Sequence, residues 1–146
     1  MSPQEIAEAC ARAMYADDTT SQNLGIEIVE VRPGYARLSM RVGNELTNGH
    51  GLCHGGYIFI LADSAFAYAC NTYDQRTVAA GAGIEFIAPA HAGDTLEAVG
   101  EERLRTGRRG VYDIRVTNQN GAMVALFRGR SATIKGTFID SAVGAP

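Results

Sequence analysis

Residues 48–72 read NGHGLCHGGYIFILADSAFAYACNT, and the rest of the chain is organised around this stretch. It begins polar and glycine-rich, and from Tyr57 to Cys70 it is apolar except for the charge of Asp63. A segment that is apolar on all sides, yet too short and interrupted for a membrane span, predicts a buried helix. A lone carboxylate in such a helix is costly unless it is paired, protonated or functional. Asp63 is therefore the first candidate functional residue.

The segments around this helix predict one further helix and six strands. Residues 2–16 combine a capping box with apolar residues at helical spacing. Alternating or β-branched runs predict strands at 24–32 (with a bulge), 35–42, 77–88, 95–105, 110–118 and 122–135, the last four as a meander. An antiparallel sheet must curl around a single long buried helix to cover it. We therefore expect a single α+β domain over residues 1–140, followed by a flexible tail at 141–146.

Bulk composition excludes several functional classes. The 146 residues carry a net charge of −3 and 46% hydrophobic residues, with an isoelectric point near 5.6, so neither nucleic-acid binding nor a membrane partner is expected. Three cysteines form no metal-type spacing among themselves and indicate reduced thiols. Without a secretory signal pattern, the expected location is cytoplasmic.

The start of the buried helix is suited to binding an oxyanion. Gly55 and Gly56 have no side chains, so a ligand can reach the backbone N–H groups at the positive end of the helix dipole. Asp63 lies eight residues further on, about 12 Å along the axis, whereas reacting atoms must approach within roughly 3.5 Å. Either the two features are unrelated, or two antiparallel helices of a two-fold dimer bring Gly55 of one copy beside Asp63 of the other.

Other interpretations of these residues remain open. The two glycines also fit a simple tight entry to the helix, and His54 fits a cap. His50, Cys53, His54 and Asp63 contain zinc-ligand types, but the loop supplies too little geometry to favour a metal, so none is predicted.

Substrate contacts are predicted from two further groups of residues. The arginines near one hairpin tip are either a solvated turn or a site for the phosphates of a nucleotide-bearing substrate: Arg103, Arg105, Arg108 and Arg109. Tyr57 and Phe59, with the Ala/Gly strand at 79–83, fit either an aryl pocket or ordinary core packing.

The His54-Gly55-Gly56 motif, followed by an apolar helix with Asp63 eight residues after the first glycine, resembles the hotdog-fold acyl-CoA thioesterases. More narrowly, the run 48–71 is similar to the PaaI-type enzymes of phenylacetate degradation, and the similarity extends to the final strands. The resemblance implies that Asp63 is the catalytic carboxylate and that Gly55 polarises the thioester carbonyl. It also implies that Asn48 assists at the carbonyl or the water, and it includes His54 without a settled role. Some relatives carry a hydroxyl residue where this chain has Ala67.

The family further implies a sheet wrapped around the helix, dimers that share active sites, and usually dimers of dimers. The implied reaction is hydrolysis of phenylacetyl-CoA or a ring-hydroxylated form, with coenzyme A as part of the substrate and no cofactor. Asp63 would act as a general base or as a nucleophile. Two alternatives are an acyl-CoA hydratase or dehydratase on the same scaffold, using His54 with Asp63, and a non-catalytic acyl-CoA-binding protein.

Overall fold

The structure is a computed structural model that describes residues 1–139, so the predicted tail at 141–146 and the domain boundary at 140 lie outside the described part. Within residues 1–139, three α-helices and six strands follow each other. They are α1 (Pro3–Asp17), α2 (Thr19–Asn23), β1 (Glu27–Arg32), β2 (Tyr35–Arg41), α3 (Gly55–Cys70), β3 (Thr77–Phe86), β4 (Thr95–Thr106), β5 (Arg109–Thr117) and β6 (Met123–Thr133).

The N-terminal helix begins where the sequence predicts. The Ser2 hydroxyl accepts from the Glu5 N–H at 3.1 Å, and the Glu5 carboxylate accepts from the Ser2 N–H at 3.0 Å, which completes the capping box. The polar segment after α1 forms the short helix α2, which the sequence does not predict. Its first turn is capped by Asp18, which accepts from the Ser21 N–H.

The six strands form one antiparallel sheet in the order β1-β2-β4-β5-β6-β3. The predicted strand segments are confirmed, with a bulge in β1 between Ile28 and Glu30 as expected. The predicted meander of the last four strands is wrong, because β3 pairs with β6 and not with β4. This crossover leaves β3 at one edge of the sheet, while β1 occupies the other edge and packs against α1.

Helix α3 packs against every strand of the sheet, with its apolar side chains filling the concave face. Leu61, Ala62, Ala65 and Phe66 are almost fully buried there. The prediction of a helix buried on all sides is wrong for one face, where Ile60, Asp63, Ser64 and Ala67 remain half-exposed. A six-stranded sheet leaves this face open, and the open face contains the carboxylate.

Candidate active site

The amino end of α3 presents an unused backbone donor. His54 is the N-cap residue, and its Nδ1 accepts from the Gly56 N–H at 3.4 Å. Within residues 1–139 the Gly55 N–H has no hydrogen-bond acceptor. This N–H lies at the positive end of the helix dipole, where it can donate to a negatively charged oxygen, as an oxyanion site requires. His54 thus caps α3 through Nδ1, and the Gly55 N–H remains free to donate.

Asp63 lies in the middle of α3 on its open face. Burial raises the pKa of its carboxyl group, because the charged form loses solvation there. The buried Cys70 thiol is close enough that the Asp63 charge adds to the rise in its pKa, which is caused chiefly by burial. A carboxylate with a raised pKa is a stronger base than a solvated one, which suits proton abstraction from water.

Strand β3 runs antiparallel alongside α3 and flanks the whole site. At one end a Cβ on Gly55 would lie 3.2 Å from Cζ of Phe86. At the other end the Asn71 side chain accepts from the Thr77 N–H at 2.9 Å and donates to the Thr77 carbonyl at 3.0 Å. Phe86 is 54% exposed although it is a large apolar residue. Sequence reasoning missed this residue, since its only local signal was its place in a strand.

Asn48 is placed in the loop that leads to α3. Its Oδ1 accepts from the N–H groups of His50 and Leu52, at 2.9 Å and 3.3 Å. The side-chain oxygen thus shapes the loop and leaves the amide nitrogen as the group available to a substrate. The predicted assisting role of Asn48 depends on that nitrogen.

The two aromatic residues predicted to line an aryl pocket have different environments. Phe59 is half-buried and packs edge-on against the core residue Phe127, with ring centroids 5.3 Å apart. Tyr57 lies half-buried beside His54, with ring centroids 6.4 Å apart, next to the amino end of α3. Of the pair, Tyr57 is the one near the candidate oxyanion site.

The arginine cluster is divided between two surfaces. Arg103 is engaged by Asp113 at 3.0 Å, in an ion pair that also includes Arg128. Arg105 stacks on the ring of Tyr73 at 3.6 Å, and Arg108 donates to the Thr133 carbonyl at 2.9 Å. Arg105 and Arg108 line one cleft of about 180 Å³, which Arg103 does not reach. The structure thus separates Arg103 from the other two candidates.

The three cysteines lie in the interior of the protein. Cys10, Cys53 and Cys70 are buried free thiols, and burial raises the pKa of each. Among residues 1–139 no three His, Cys, Asp or Glu side chains group in a way that could hold a metal ion. In the same part of the chain, no helix has the length and apolar character needed to cross a bilayer.

A curled antiparallel sheet around one long helix, with a donor at the helix start and a carboxylate two turns later, defines the class of hotdog-fold thioesterases. Residues 50–125 match the family model of the thioesterase superfamily. The chain belongs to this family, and the predicted hotdog fold and thioesterase class are confirmed.

Similarity to individual proteins is high over most of the chain. An Escherichia coli (strain K12) protein, acyl-coenzyme A thioesterase PaaI, is 46% identical over 132 residues, which cover 90% of this chain and 94% of the relative. The solved structure of the E. coli PaaI protein from the phenylacetic acid degradation operon superposes with a TM-score of 0.92, over 93% of this chain and 99% of that one. A hypothetical thioesterase from Streptococcus pneumoniae TIGR4, solved with coenzyme A, is 26% identical, with a TM-score of 0.72 over 77% of this chain and 90% of that one. The chain is thus a thioesterase of the PaaI type.

Proposed function

We propose that this thioesterase hydrolyses acyl-CoA thioesters, with phenylacetyl-CoA or hydroxyphenylacetyl-CoA as the substrate. The observation that carries the proposal is the free Gly55 N–H at the start of α3, on the same helix as the half-buried Asp63. An N–H donor stabilises the developing oxyanion, and a carboxylate supplies or activates the nucleophile. The E. coli relative is named an acyl-coenzyme A thioesterase, and the S. pneumoniae relative was solved with coenzyme A.

The hydrolysis follows one of two routes, which differ in the role of Asp63. As a general base, Asp63 takes a proton from water, the resulting hydroxide attacks the carbonyl carbon, and the C–S bond breaks as the coenzyme A thiolate leaves. The proton on Asp63 then passes to the thiolate or to solvent, which restores the carboxylate. As a nucleophile, an Asp63 oxygen attacks directly, the thiolate leaves, and water then cleaves the mixed anhydride. In both routes the oxyanion forms at the Gly55 N–H, and the stable thiolate needs no strong acid to leave. A single turnover in ¹⁸O-water distinguishes them, since label entering Asp63 supports direct attack.

We further propose that each site is shared between two copies of the chain. The Gly55 N–H and the Asp63 carboxylate are separated by about 12 Å of one helix, so they cannot act on one carbonyl within a single chain. Strand β3 offers ten residues at an uncovered sheet edge, rich in Ala and Gly. Pairing of two β3 edges across a two-fold axis would bring the two α3 helices side by side. A dimer of two such dimers is the assembly that the family resemblance implies.

The phosphates of coenzyme A are proposed to contact Arg105 and Arg108. Both guanidinium groups border the same cleft and carry no carboxylate partner within residues 1–139. Arg103 is left out of this proposal because its guanidinium group is engaged by Asp113 and does not line the cleft.

Subunit complementation tests the shared site. Asp63→Asn and Gly55→Val are each expected to abolish thiol release from phenylacetyl-CoA. Co-expressed and purified as a mixed dimer, the two chains form one site with an intact Gly55 and an intact Asp63, and half of the wild-type activity should return. A mixed dimer without activity would contradict the shared site. Full activity of Asp63→Asn alone would contradict the assignment of the carboxylate.

Double-bond hydration without thiol release would favour the hydratase alternative, and tight binding without turnover would favour the non-catalytic one.

A further inference from the structure

The backbone carbonyl of Ala90, between β3 and β4, holds the loop that leads into α3. It accepts from the Cys53 N–H at 2.7 Å, and Cys53 lies two residues before the Gly55 donor. Leu52 and His91 form an isolated antiparallel bridge beside this hydrogen bond. The segment that connects β3 to β4 therefore runs alongside the approach to α3 and determines where the start of that helix lies.

The peptide unit between Ala90 and His91 is hydrogen-bonded at both ends. Its carbonyl accepts from Cys53, and its N–H, which belongs to His91, donates to Oδ2 of Asp94 at 2.8 Å. The unit is planar and trans, so its N–H and its C=O point in opposite directions, and fixing one fixes the other. The Asp94 carboxylate therefore sets the direction of the carbonyl that holds Cys53.

Asp94 is itself held in place by a neighbouring side chain. Its Oδ1 accepts from Nε2 of Gln119 at 2.9 Å, and Oε1 of Gln119 accepts from the Thr95 N–H at 3.0 Å. The Asp94 side chain is only 15% exposed. Hydrogen bonds from the His91 N–H and from Gln119 lower the pKa of its carboxyl group. The group is thus ionised at neutral pH and presents only acceptors to these two donors.

The charge of Asp94 strengthens the contact between the two loops. Hydrogen bonds in a chain polarise one another, and bonds to a charged acceptor are the stronger ones. The bond from the Cys53 N–H to the Ala90 carbonyl lies at the short end of the range for this type of bond. Ala90 is fully buried and Cys53 is 7% exposed, so this bond is shielded from water.

We propose that Asp94 is a positioning residue that holds the Gly55 N–H at the point where the thioester oxygen becomes charged. It acts through the Ala90–His91 peptide unit and through the Cys53 N–H that this unit binds. The inference rests on the proposed function, because it takes the Gly55 N–H as the oxyanion donor. Such a donor must lie about 2.7–3.1 Å from the oxyanion, so a small displacement of the loop weakens it.

Reversal of the Asp94–Gln119 hydrogen bond tests this proposal. Asp94→Asn replaces one acceptor oxygen by an amide donor, which then faces either the His91 N–H or the Gln119 amide. Gln119→Glu alone places a second carboxylate against Asp94. The double variant restores a donor opposite an acceptor, and the second oxygen of the new glutamate can still accept from Thr95.

The expected result is a loss of rate that the double variant reverses. In thiol release from phenylacetyl-CoA, each single variant should lower kcat about tenfold, less than the roughly 100-fold that a misplacement of 1 Å can cost. KM should stay within about threefold of wild type, since the interaction acts in the transition state. The double variant should return kcat to within about threefold of wild type. Amide hydrogen exchange at Cys53 should accelerate in Asp94→Asn and slow again in the double variant.

Two control variants separate positioning from other effects. His91→Ala keeps the backbone N–H and removes only an imidazole ring that is 62% exposed, so kcat should stay within about twofold of wild type. Ser2→Ala breaks the capping box of α1, which packs against β1, and lowers stability without touching either loop. It should leave kcat unchanged. Thermal unfolding of all variants provides the comparison of stability.

Each outcome decides the proposal. If Asp94→Asn releases thiol with the kcat of the wild type, or if the double variant recovers none of the loss, the positioning role is wrong. An equal loss of kcat in Ser2→Ala would also contradict it, because reduced stability would then explain the effect. If the wild type cleaves no acyl-CoA, the proposed function fails, and exchange at Cys53 alone decides whether Asp94 holds the loop. If Asp94→Asn does not fold, Gln119→Glu and the double variant give the same comparison.

Discussion

Gly55→Ala gives the sharpest test of the oxyanion site, because the structure predicts a small effect on stability and a large loss of activity. The new Cβ would lie 3.2, 3.4 and 3.7 Å from three atoms of the Phe86 ring. The first of these is a few tenths of an ångström too close. Phe86 is 54% exposed, so its ring has room to move. Gly55 has no left-handed backbone conformation, and alanine at such a position adds roughly 0.4–1 kcal/mol by restricting the unfolded chain. We expect a net change in the free energy of unfolding within about 1 kcal/mol.

Activity should fall far more than stability. The Cα–Cβ bond of a helical residue tilts toward the amino end of the helix, the same direction in which the Gly55 N–H points. The added methyl group therefore occupies the approach of the thioester oxygen to its donor. Loss of one oxyanion donor costs roughly 10²–10³-fold in kcat, so we expect a loss of about 100-fold. Thiol release at saturating and limiting phenylacetyl-CoA gives kcat and KM, and chemical denaturation gives the stability.

Two further variants isolate the cause. Gly56→Ala is the matched control, since its Cβ would meet only Nδ1 of His54 at 3.7 Å and its N–H already bonds to that atom. It should lose much less activity than Gly55→Ala. Adding Phe86→Ala to Gly55→Ala relieves the contact with the ring but not the contact with the substrate, so activity should stay low. Retention of more than about a tenth of wild-type kcat in Gly55→Ala, or full rescue by Phe86→Ala, would refute the reasoning.

Three other predictions follow from the site and the sheet edge. Asp63→Asn should lose turnover and yet unfold at a higher temperature than the wild type at pH 7. Folding raises the pKa of the Asp63 carboxyl group, so its charged form destabilises the native state, by ~1.4 kcal/mol for each pKa unit. The difference in unfolding temperature should disappear as the pH falls below the unfolded pKa of about 3.9. Arg105→Ala with Arg108→Ala should raise KM for acyl-CoA but not for an N-acetylcysteamine thioester, which lacks phosphates, while Arg103→Ala leaves both values near wild type. Ala80→Lys on the exposed edge of β3 should leave the chain folded but shift sedimentation toward the monomer and abolish activity; an active monomer would contradict the shared site.

Features of the site that depend on local chain geometry could be predicted from the sequence. A glycine pair before an apolar run defines a helix start, and the eight-residue interval to Asp63 fixes a distance without any tertiary information. Strand pairing is different, because no local signal states which strand lies beside which. The small residues of β3 fit any neighbour, so the sequence did not distinguish pairing with β4 from the observed pairing with β6.

A β-bulge in β4 determines which arginines of the cluster share a face of the sheet. Strict alternation along β4 would place Glu102 and Arg105 on opposite faces. The register shifts between Glu102 and Leu104, and both side chains instead contact Tyr73, by a hydrogen bond of 2.8 Å and by a stacked guanidinium. Arg103 is left on the other face with Asp113. A β-bulge of this kind has no reliable sequence signature, so the separation of the cluster required the structure.

The groups that folding leaves without partners lie on α3 and on β3, the strand that runs beside it. The Gly55 N–H lacks an acceptor, the Asp63 carboxylate is held at a raised pKa, and the β3 edge exposes its backbone along ten residues. Each feature disfavours an isolated chain, because open edges invite pairing and half-buried charges lack solvation. A second copy related by a two-fold axis would satisfy the edge by pairing and place a helix amino end near each carboxylate. The same contact would then stabilise the dimer and assemble the reaction site, so loss of pairing and loss of turnover should occur at the same protein concentration.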